Sequence, residues 1–142
     1  MKEKILFLCT GNSCRSQMAE GFCRAIHNDK YEVYSAGIEQ HGMNERAVLA
    51  MSEKGVDLST HSSKTLDSLD VEFDVVITVC GNADASCPVF EGDTRVVHIG
   101  FDDPPKLAKD ATTDEDALPH YRRVRDEIEQ AIAKLPSLLA AN

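Results

Sequence analysis

The sequence contains no apolar segment of transmembrane length, and the apolar run behind its first four residues is too short for a signal peptide. Positive charge is also scarce, because 24 Asp and Glu residues outnumber 15 Lys and Arg residues and give a net charge of −9. This balance argues against nucleic acid or an anionic membrane as a partner. We therefore expect a cytoplasmic protein whose five cysteines are thiols.

Internal repeats, low-complexity tracts and metal-ligand spacings are also missing from the sequence. The histidines stand apart from one another, at His27, His41, His61, His98 and His120. We expect His61 to lie on the surface, and the alternative is a position near the ligand-binding rim of the fold. No metal and no cofactor are therefore expected. The composition, with 42% hydrophobic and 27% charged residues, is ordinary for a globular protein, and we expect a single domain over residues 1–142.

Short apolar runs alternate with helical patterns along the chain. Strands are predicted at residues 5–8, 31–36, 73–79 and 94–99. Helices are predicted after residue 16, after a cap at Asn44, around residues 65–69, and along an apolar stripe from Tyr121 to Leu135 that Pro136 ends or kinks. This order predicts an α/β fold in which helices cover both faces of a parallel sheet.

The first predicted strand leads directly into Cys-Thr-Gly-Asn-Ser-Cys-Arg-Ser at residues 9–16, and a helix follows. Unpaired backbone N–H groups and the helix dipole favour an anion at such a junction. Cys9 begins this anion loop, residues 9–15, and Arg15 closes it with a guanidinium suited to a tetrahedral oxyanion. We expect the same N–H groups to lower the pKa of Cys9 and to make its thiolate a nucleophile. The alternative, a turn that holds two core cysteines, does not explain this combination of residues.

A second pair of cysteines follows the third predicted strand. If residues 80–87 formed one continuous helix, the Cα atoms of Cys80 and Cys87 would lie about 10.5 Å apart. A disulfide requires less than about 7 Å, so the segment is either not helical or must unwind when it is oxidised. The alternative is two unrelated thiols. Of the other cysteines, Cys14 is expected to be structural and Cys23 to lie in the core.

A carboxyl group near the end of the last predicted strand can serve as a general acid to a departing oxygen. Asp103 is the better candidate because Pro104 restricts it, Asp102 is the second candidate, and a simple turn is the alternative. Ligands bind at the carboxyl ends of parallel strands. We therefore expect the anion loop, Cys80 and this carboxyl group to converge on one rim of the sheet.

The anion loop together with Asp103-Pro104 resembles the low-molecular-weight tyrosine phosphatase superfamily. With residues 78–81, Cys87-Pro88 and residues 98–104 added, the sequence is similar to the thioredoxin-coupled arsenate reductases over nearly the whole chain. The resemblance implies a four-stranded parallel sheet flanked by helices. It also implies that Ser16 steadies the Cys9 thiolate and that Asp103 is the general acid. The oxyanion would be held by the loop residues Thr10, Gly11, Asn12, Ser13, Cys14 and Arg15.

The reaction implied by this resemblance is the reduction of arsenate to arsenite in arsenic detoxification. Cys9 attacks arsenic, and Asp103 protonates the departing hydroxide. Cys80 then attacks Cys9 and releases arsenite, after which Cys87 attacks Cys80. Thioredoxin is the implied reductant of the final disulfide, and a glutathione-type donor is the alternative.

Some members of this family hold a potassium ion with residues equivalent to Asn12, Glu20 and Ser35 and with an aspartate. Lys64 stands at the place of that aspartate. Either its ammonium group takes the place of the ion and offers Glu20 a positive partner, or its side chain points into solvent.

Two other functions compete with this interpretation. A phosphotyrosine phosphatase needs Cys9 and Asp103 but no second cysteine pair, and the sequence has Asp-Pro-Pro where such phosphatases have Asp-Pro-Tyr. A weak phosphatase side activity is still expected, because phosphate and arsenate share shape and charge. A phosphoryl-carrier subunit of a sugar transporter also has a cysteine after its first strand, but it needs neither Arg15 nor the Cys80 and Cys87 pair.

Overall fold

A computed structural model describes residues 2–85, 87, 90 and 92–140 of the chain. Its strands are β1 (Glu3–Cys9), β2 (Tyr31–Gly37), β3 (Val75–Thr78) and β4 (Arg95–His98). All neighbouring strands run parallel, and their order in the sheet is β2-β1-β3-β4. The predicted α/β class and four-stranded parallel sheet are confirmed, although β3 and β4 are shorter than the apolar runs that predicted them.

The α-helices of the described residues are α1 (Arg15–Ile26), α2 (Glu45–Ser52), α3 (Gly81–Ala85), α4 (Pro104–Leu107), α5 (Asp114–Ala133) and α6 (Leu135–Ala140), and a 3₁₀ turn spans Leu66–Ser68. Asn44 caps α2 as predicted, since its Oδ1 accepts from two main-chain N–H groups of the first turn. The last predicted helix is divided in two, because α5 ends at Ala133 before Pro136. Helix α4 was not predicted, although proline suits the first turn of a helix.

The core is built around β1. Its consecutive side chains Ile5, Leu6, Phe7 and Leu8 are fully buried. Successive side chains of a strand point to opposite faces of the sheet, so both faces of β1 are covered. No helix within the described residues is both long and apolar enough to cross a membrane.

The register of the sheet brings the ends of its strands to one rim. Cys9 pairs with Gly37, and Thr78 pairs with His98. Main-chain bonds continue beyond the strands, since the Ile99 and Phe101 N–H groups donate to the carbonyl oxygens of residues 78 and 79. The anion loop, Cys80 and the segment that leads to Asp103 therefore leave the sheet side by side.

Candidate active site

The anion loop joins β1 to α1 and is shaped by Asn12. This residue adopts a φ of 50°, which is uncommon for a residue with a side chain. Its fully buried Nδ2 donates to the hydroxyl oxygens of Ser16 at 2.9 Å and Ser35 at 3.0 Å. The Ser16 side chain, expected to steady the nucleophile, thus contacts Asn12. Because these bonds fix the Asn12 side chain, they also hold the main chain in its left-handed conformation.

Gln17 is a site residue that sequence reasoning missed. Its fully buried amide donates to Oδ1 of Asn12 at 3.0 Å and to the Ser62 carbonyl at 3.1 Å. His61 Nδ1 lies 2.9 Å from the Gln17 Oε1 atom, and only 11% of the His61 side chain is exposed. The expectation that His61 lies on the surface is wrong, because this hydrogen bond holds it against Gln17 of α1, and the alternative position beside the site is the one found. Burial lowers the pKa of His61 below its ordinary value.

One nitrogen of the Arg15 guanidinium forms no hydrogen bond within the described residues. Its Nη1 donates to the Phe101 carbonyl at 3.1 Å, and its Nη2 lies 3.6 Å from Oδ1 of Asp103. Its Nε is buried and has no hydrogen-bond partner among the described residues. Buried polar atoms are rarely left unpaired. An oxyanion in the loop would give this atom a partner, as the predicted role of Arg15 requires.

Cys9 and Cys80 lie next to each other at the rim, because β1 and β3 are neighbours in the sheet and each thiol shifts the pKa of the other. Both cysteines are buried. The sulfur of Cys80 also lies 3.3 Å from the Thr10 hydroxyl and accepts from the Ala83 N–H at 3.4 Å. Ala83 belongs to the first turn of α3, so Cys80 caps that helix with its sulfur.

Cys9 and Cys80 shift each other's pKa in opposite directions. Hydrogen bonding to Cys9, followed by the bonds from Thr10 and Ala83, lowers the pKa of Cys80 to about 5. The hydrogen bond with Cys80, burial and the Cys80 charge raise the pKa of Cys9, although Arg15 and the Ser16 N–H act in the opposite direction. The predicted lowering of the Cys9 pKa therefore fails while Cys80 faces it, because two adjacent thiolates repel each other.

The remaining cysteines differ in exposure. Cys14 and Cys23 are buried as expected, and burial raises the pKa of Cys23 to about 12. Cys87 is partly exposed and lies beyond the end of α3 at Ala85. Residues 80–87 thus do not form one described helix, while Ser86 and Pro88, the neighbours of Cys87, lie outside the described residues.

The two candidate carboxyl groups point to different partners. Asp102 accepts from Arg123 Nη2 at 3.1 Å, whereas Asp103 lies beside Arg15 of the anion loop. Asp103 also precedes α4 without capping it through its side chain. Its carboxyl group is thereby left beside the loop, and this geometry favours Asp103 over Asp102 as the acid.

The cluster behind the loop contains its own cations. Lys64 Nζ lies 3.4 Å from Oδ1 of Asn12 and 2.9 Å from the Ser62 carbonyl, so its ammonium turns toward the loop. Burial lowers the pKa of Lys64. The buried carboxylate of Glu20 pairs with Arg24, 2.7 Å away, and also accepts from the Ser35 hydroxyl. Sequence reasoning missed Arg24, although it lies one helical turn further along α1.

A parallel α/β sheet that presents a buried cysteine and an arginine around an anion loop defines a cysteine-dependent enzyme for tetrahedral oxyanions. The chain belongs to the low molecular weight phosphotyrosine protein phosphatase family, whose profile matches residues 4–142. Within the described residues, no cluster of three or more His, Cys, Asp or Glu side chains could hold a metal ion.

Among curated relatives, several arsenate reductases are similar over nearly their whole length. The arsenate reductase of Halalkalibacterium halodurans is 52% identical over 132 residues, which cover 92% of this chain and 93% of that protein. Arsenate reductase 1 of Staphylococcus epidermidis is 49% identical over 132 residues, with the same coverage. The arsenate reductase of Bacillus subtilis is 49% identical over 131 residues, which cover 90% of this chain and 91% of that protein.

Solved structures of both kinds of enzyme share the fold. An arsenate reductase in the phosphate binding state superimposes with a TM-score of 0.72 at 31% identity, covering 95% of this chain and 96% of that one. A low molecular weight protein tyrosine phosphatase from T. tengcongensis gives a TM-score of 0.74 at 25% identity, covering 96% of this chain and 99% of that one. The fold therefore does not separate the two activities, and the site must do so.

Proposed function

We propose that this protein reduces arsenate to arsenite through successive reactions of Cys9, Cys80 and Cys87. The observation that carries the proposal is the position of the Cys80 sulfur at the anion loop, 3.3 Å from the hydroxyl of Thr10, the residue that follows Cys9. A phosphatase needs one nucleophilic sulfur, whereas a reductase needs a second sulfur within reach of the first. The arsenate reductases that share about half of the sequence support the same conclusion.

In the first step arsenate occupies the anion loop, where the unpaired Nε of Arg15 and the loop N–H groups bind its oxygens. The Cys80 thiolate, which lies beside Cys9 at the anion loop, takes up the thiol proton of Cys9. The Cys9 sulfur then forms a bond to arsenic. One hydroxyl group leaves the arsenic as water, because Asp103 protonates it as its bond to arsenic breaks. The position of Asp103 beside Arg15 supports this role.

In the second step Cys80 releases this proton to water, as its lowered pKa of about 5 favours near neutral pH, and the resulting thiolate attacks the sulfur of Cys9. A disulfide forms while the bond between sulfur and arsenic breaks, and its electron pair reduces arsenic to arsenite. The donors around the Cys80 sulfur favour the thiolate that this attack needs. Cys87 then attacks the sulfur of Cys80, which frees Cys9 and leaves a disulfide between Cys80 and Cys87. Cys87 is partly exposed, so the disulfide moves toward the surface.

Thioredoxin completes the proposed cycle by reducing the Cys80–Cys87 disulfide to two thiols. A dithiol reductant and resting thiols belong to a reducing compartment, so the proposal includes a cytoplasmic location. A weak phosphatase activity is part of the same proposal, since hydrolysis of a phosphate ester uses Cys9, Arg15 and Asp103 without the other cysteines.

The decisive experiment is arsenate-dependent oxidation of NADPH in the presence of thioredoxin and thioredoxin reductase. We expect turnover by the reduced protein and none by the Cys9→Ser variant, which should also lack phosphatase activity because both reactions need this sulfur. A protein that binds phosphate but does not oxidise NADPH with either thioredoxin or a glutathione-coupled system would contradict the proposal.

A further inference from the structure

A segment beyond β2 lies along the first half of the anion loop. The main-chain N–H groups of Ile38, Glu39 and His41 donate to the carbonyl oxygens of residues 9, 10 and 11, at 3.1, 2.8 and 3.0 Å. These bonds extend the pairing of β1 with β2 past the last paired residues of the two strands. The first half of the loop is therefore held along one side by a neighbouring strand-like segment.

The imidazole of His41 occupies the space beside Gly11. A Cβ atom built on Gly11 would lie 2.2 Å from Nδ1 and 2.4 Å from Cγ of His41, and 2.8 Å from its Cβ. Nothing larger than glycine fits here unless the ring moves. The ring is in turn oriented by Glu39, whose Oε2 lies 2.7 Å from His41 Nε2.

The carbonyl oxygen of Gly11 is fixed from a second direction. The hydroxyl of Ser63, a buried residue, donates to it at 2.9 Å, in addition to the main-chain N–H of His41. A carbonyl with two donors from separate segments has a fixed orientation. The Gly11 carbonyl and the Asn12 N–H belong to the same planar peptide unit, so the orientation of the Asn12 N–H is fixed as well.

We infer that His41, oriented by Glu39, and Ser63 are positioning residues that set the anion loop at Gly11 for oxyanion binding. They act through Gly11 on the loop N–H groups. An N–H donor displaced by about 1 Å forms a much weaker hydrogen bond with a bound oxyanion. Loss of the contacts of His41 and Ser63 with Gly11 should therefore weaken oxyanion binding. The inference rests on the proposed function only because arsenate is taken as the oxyanion. Binding of inorganic phosphate to the same loop tests the inference without arsenate.

The experiment measures the affinity of the reduced protein for inorganic phosphate by calorimetry, together with KM and kcat for arsenate. Ser63→Ala removes one hydrogen bond to Gly11 and should weaken phosphate binding by about fivefold. His41→Gly removes the ring and should raise the KM for arsenate to a similar extent while kcat changes by less than about twofold. Ser68→Ala and His120→Ala are matched controls, because within the described part of the chain neither side chain forms a hydrogen bond with the anion loop, and Ser68 donates to the Thr65 carbonyl instead.

A double variant tests the contact itself. Gly11→Ala keeps every main-chain donor but collides with the His41 ring, so it should weaken phosphate binding by about tenfold or more. Gly11→Ala/His41→Gly removes the collision and should bind phosphate more tightly than Gly11→Ala, which additive effects cannot produce. If Gly11→Ala does not fold, the phosphate affinities of Ser63→Ala and His41→Gly decide the question.

Two results would overturn the inference: additive losses in the double variant, or wild-type phosphate affinity in both His41→Gly and Ser63→Ala. The proposed function fails separately, if the wild-type protein does not reduce arsenate. In that case the phosphate affinities still decide whether His41 and Ser63 position the loop.

Discussion

The hydroxyl of Thr10 lies 3.3 Å from the sulfur of Cys80, although the two residues are 70 positions apart in the sequence. The anion loop thus contributes both the N–H groups suited to an oxyanion and a hydrogen bond to the second cysteine. Its residues contact the two sulfurs that the proposed reaction joins. Disturbing this loop should therefore alter the ionisation of Cys80 even when the Cys80 side chain is untouched.

Thr10→Val should raise the pKa of Cys80, because the thiolate loses one of its hydrogen-bond donors. Loss of one such bond is expected to move the pH profile of Cys80 alkylation upward by about one unit. The measurement follows alkylation at Cys80 by mass spectrometry between pH 4 and pH 9, a range chosen around the pKa of about 5. Thr10→Ser retains the hydroxyl and is the control. An identical profile in Thr10→Val would show that this contact does not stabilise the thiolate.

Cys80→Ser should separate the two activities of the site. Arsenate turnover with thioredoxin is expected to fall by at least about a hundredfold, because no second sulfur can displace arsenite from Cys9. Hydrolysis of p-nitrophenyl phosphate should remain, since it needs only the loop, Arg15 and Asp103. Equal loss of both activities would instead assign Cys80 a structural role.

The sheet and the anion loop could be predicted because their signals are local. The apolar run of β1, the cap at Asn44 and the Cys-x5-Arg spacing each lie within a few residues of sequence. The side chains that shape the loop could not be predicted, since their partners are distant. His61 meets Gln17 across 44 positions and Lys64 meets Asn12 across 52.

The direction of the Cys9 pKa shift illustrates the same limit of local reasoning. The loop N–H groups and Arg15 favour the Cys9 thiolate, as the sequence suggests. The structure adds a second thiol next to the first, and two adjacent thiols do not ionise independently of each other. Only the folding of β1 and β3 side by side brings these thiols together.

Formation of a disulfide between Cys80 and Cys87 should loosen α3. Its first turn is capped by the Cys80 sulfur, which accepts from the Ala83 N–H at 3.4 Å. A disulfide removes the thiolate charge and turns this sulfur toward Cys87. We expect amide hydrogen exchange at residues 81–85 to become at least about fivefold faster after oxidation, corresponding to about 1 kcal/mol for a lost cap. Unchanged exchange after confirmed Cys80–Cys87 formation would rule out this unwinding.

Stability and activity should depend little on whether the buffer contains potassium or sodium. The ammonium of Lys64 lies 3.4 Å from Asn12 Oδ1, and Arg24 already neutralises the buried carboxylate of Glu20. A further cation would meet repulsion from both. Melting temperatures in potassium chloride and in sodium chloride at equal concentration test this expectation.

Lys64→Asp is the matched variant for this experiment, because it places at position 64 the aspartate that the sequence resemblance implies for a potassium site. We expect it to be stabilised more by potassium than by sodium, as an added carboxylate replaces the ammonium beside Asn12. A clear potassium-specific rise in the melting temperature of the unmutated protein would contradict the role assigned to Lys64.

Glu53 should stabilise the fold in a pH-dependent manner by joining α2 to α5. Its carboxylate accepts from Arg122 at 2.9 and 2.8 Å and from Arg125 at 2.8 Å. Hydrogen bonds from Arg122 and then from Arg125 lower the pKa of Glu53 from 4.5 to about 2. Because the pKa is lower in the folded protein, the stabilisation is complete above the ordinary pKa and is lost as the pH falls from 4.5 toward 2.

Glu53→Gln should therefore lower the free energy of unfolding by about 1 kcal/mol at neutral pH, a modest value because the pair is partly exposed to solvent. The difference from the wild-type protein should shrink as the pH falls below 4.5, the ordinary pKa of this carboxyl group. Urea unfolding of both proteins at a series of pH values provides the measurement. Asp70→Asn, which removes an equal charge from an exposed loop position, is the control and should change stability little at any pH. A difference for Glu53→Gln that stays constant down to the lowest pH would show that the ion pairs with Arg122 and Arg125 do not stabilise the fold.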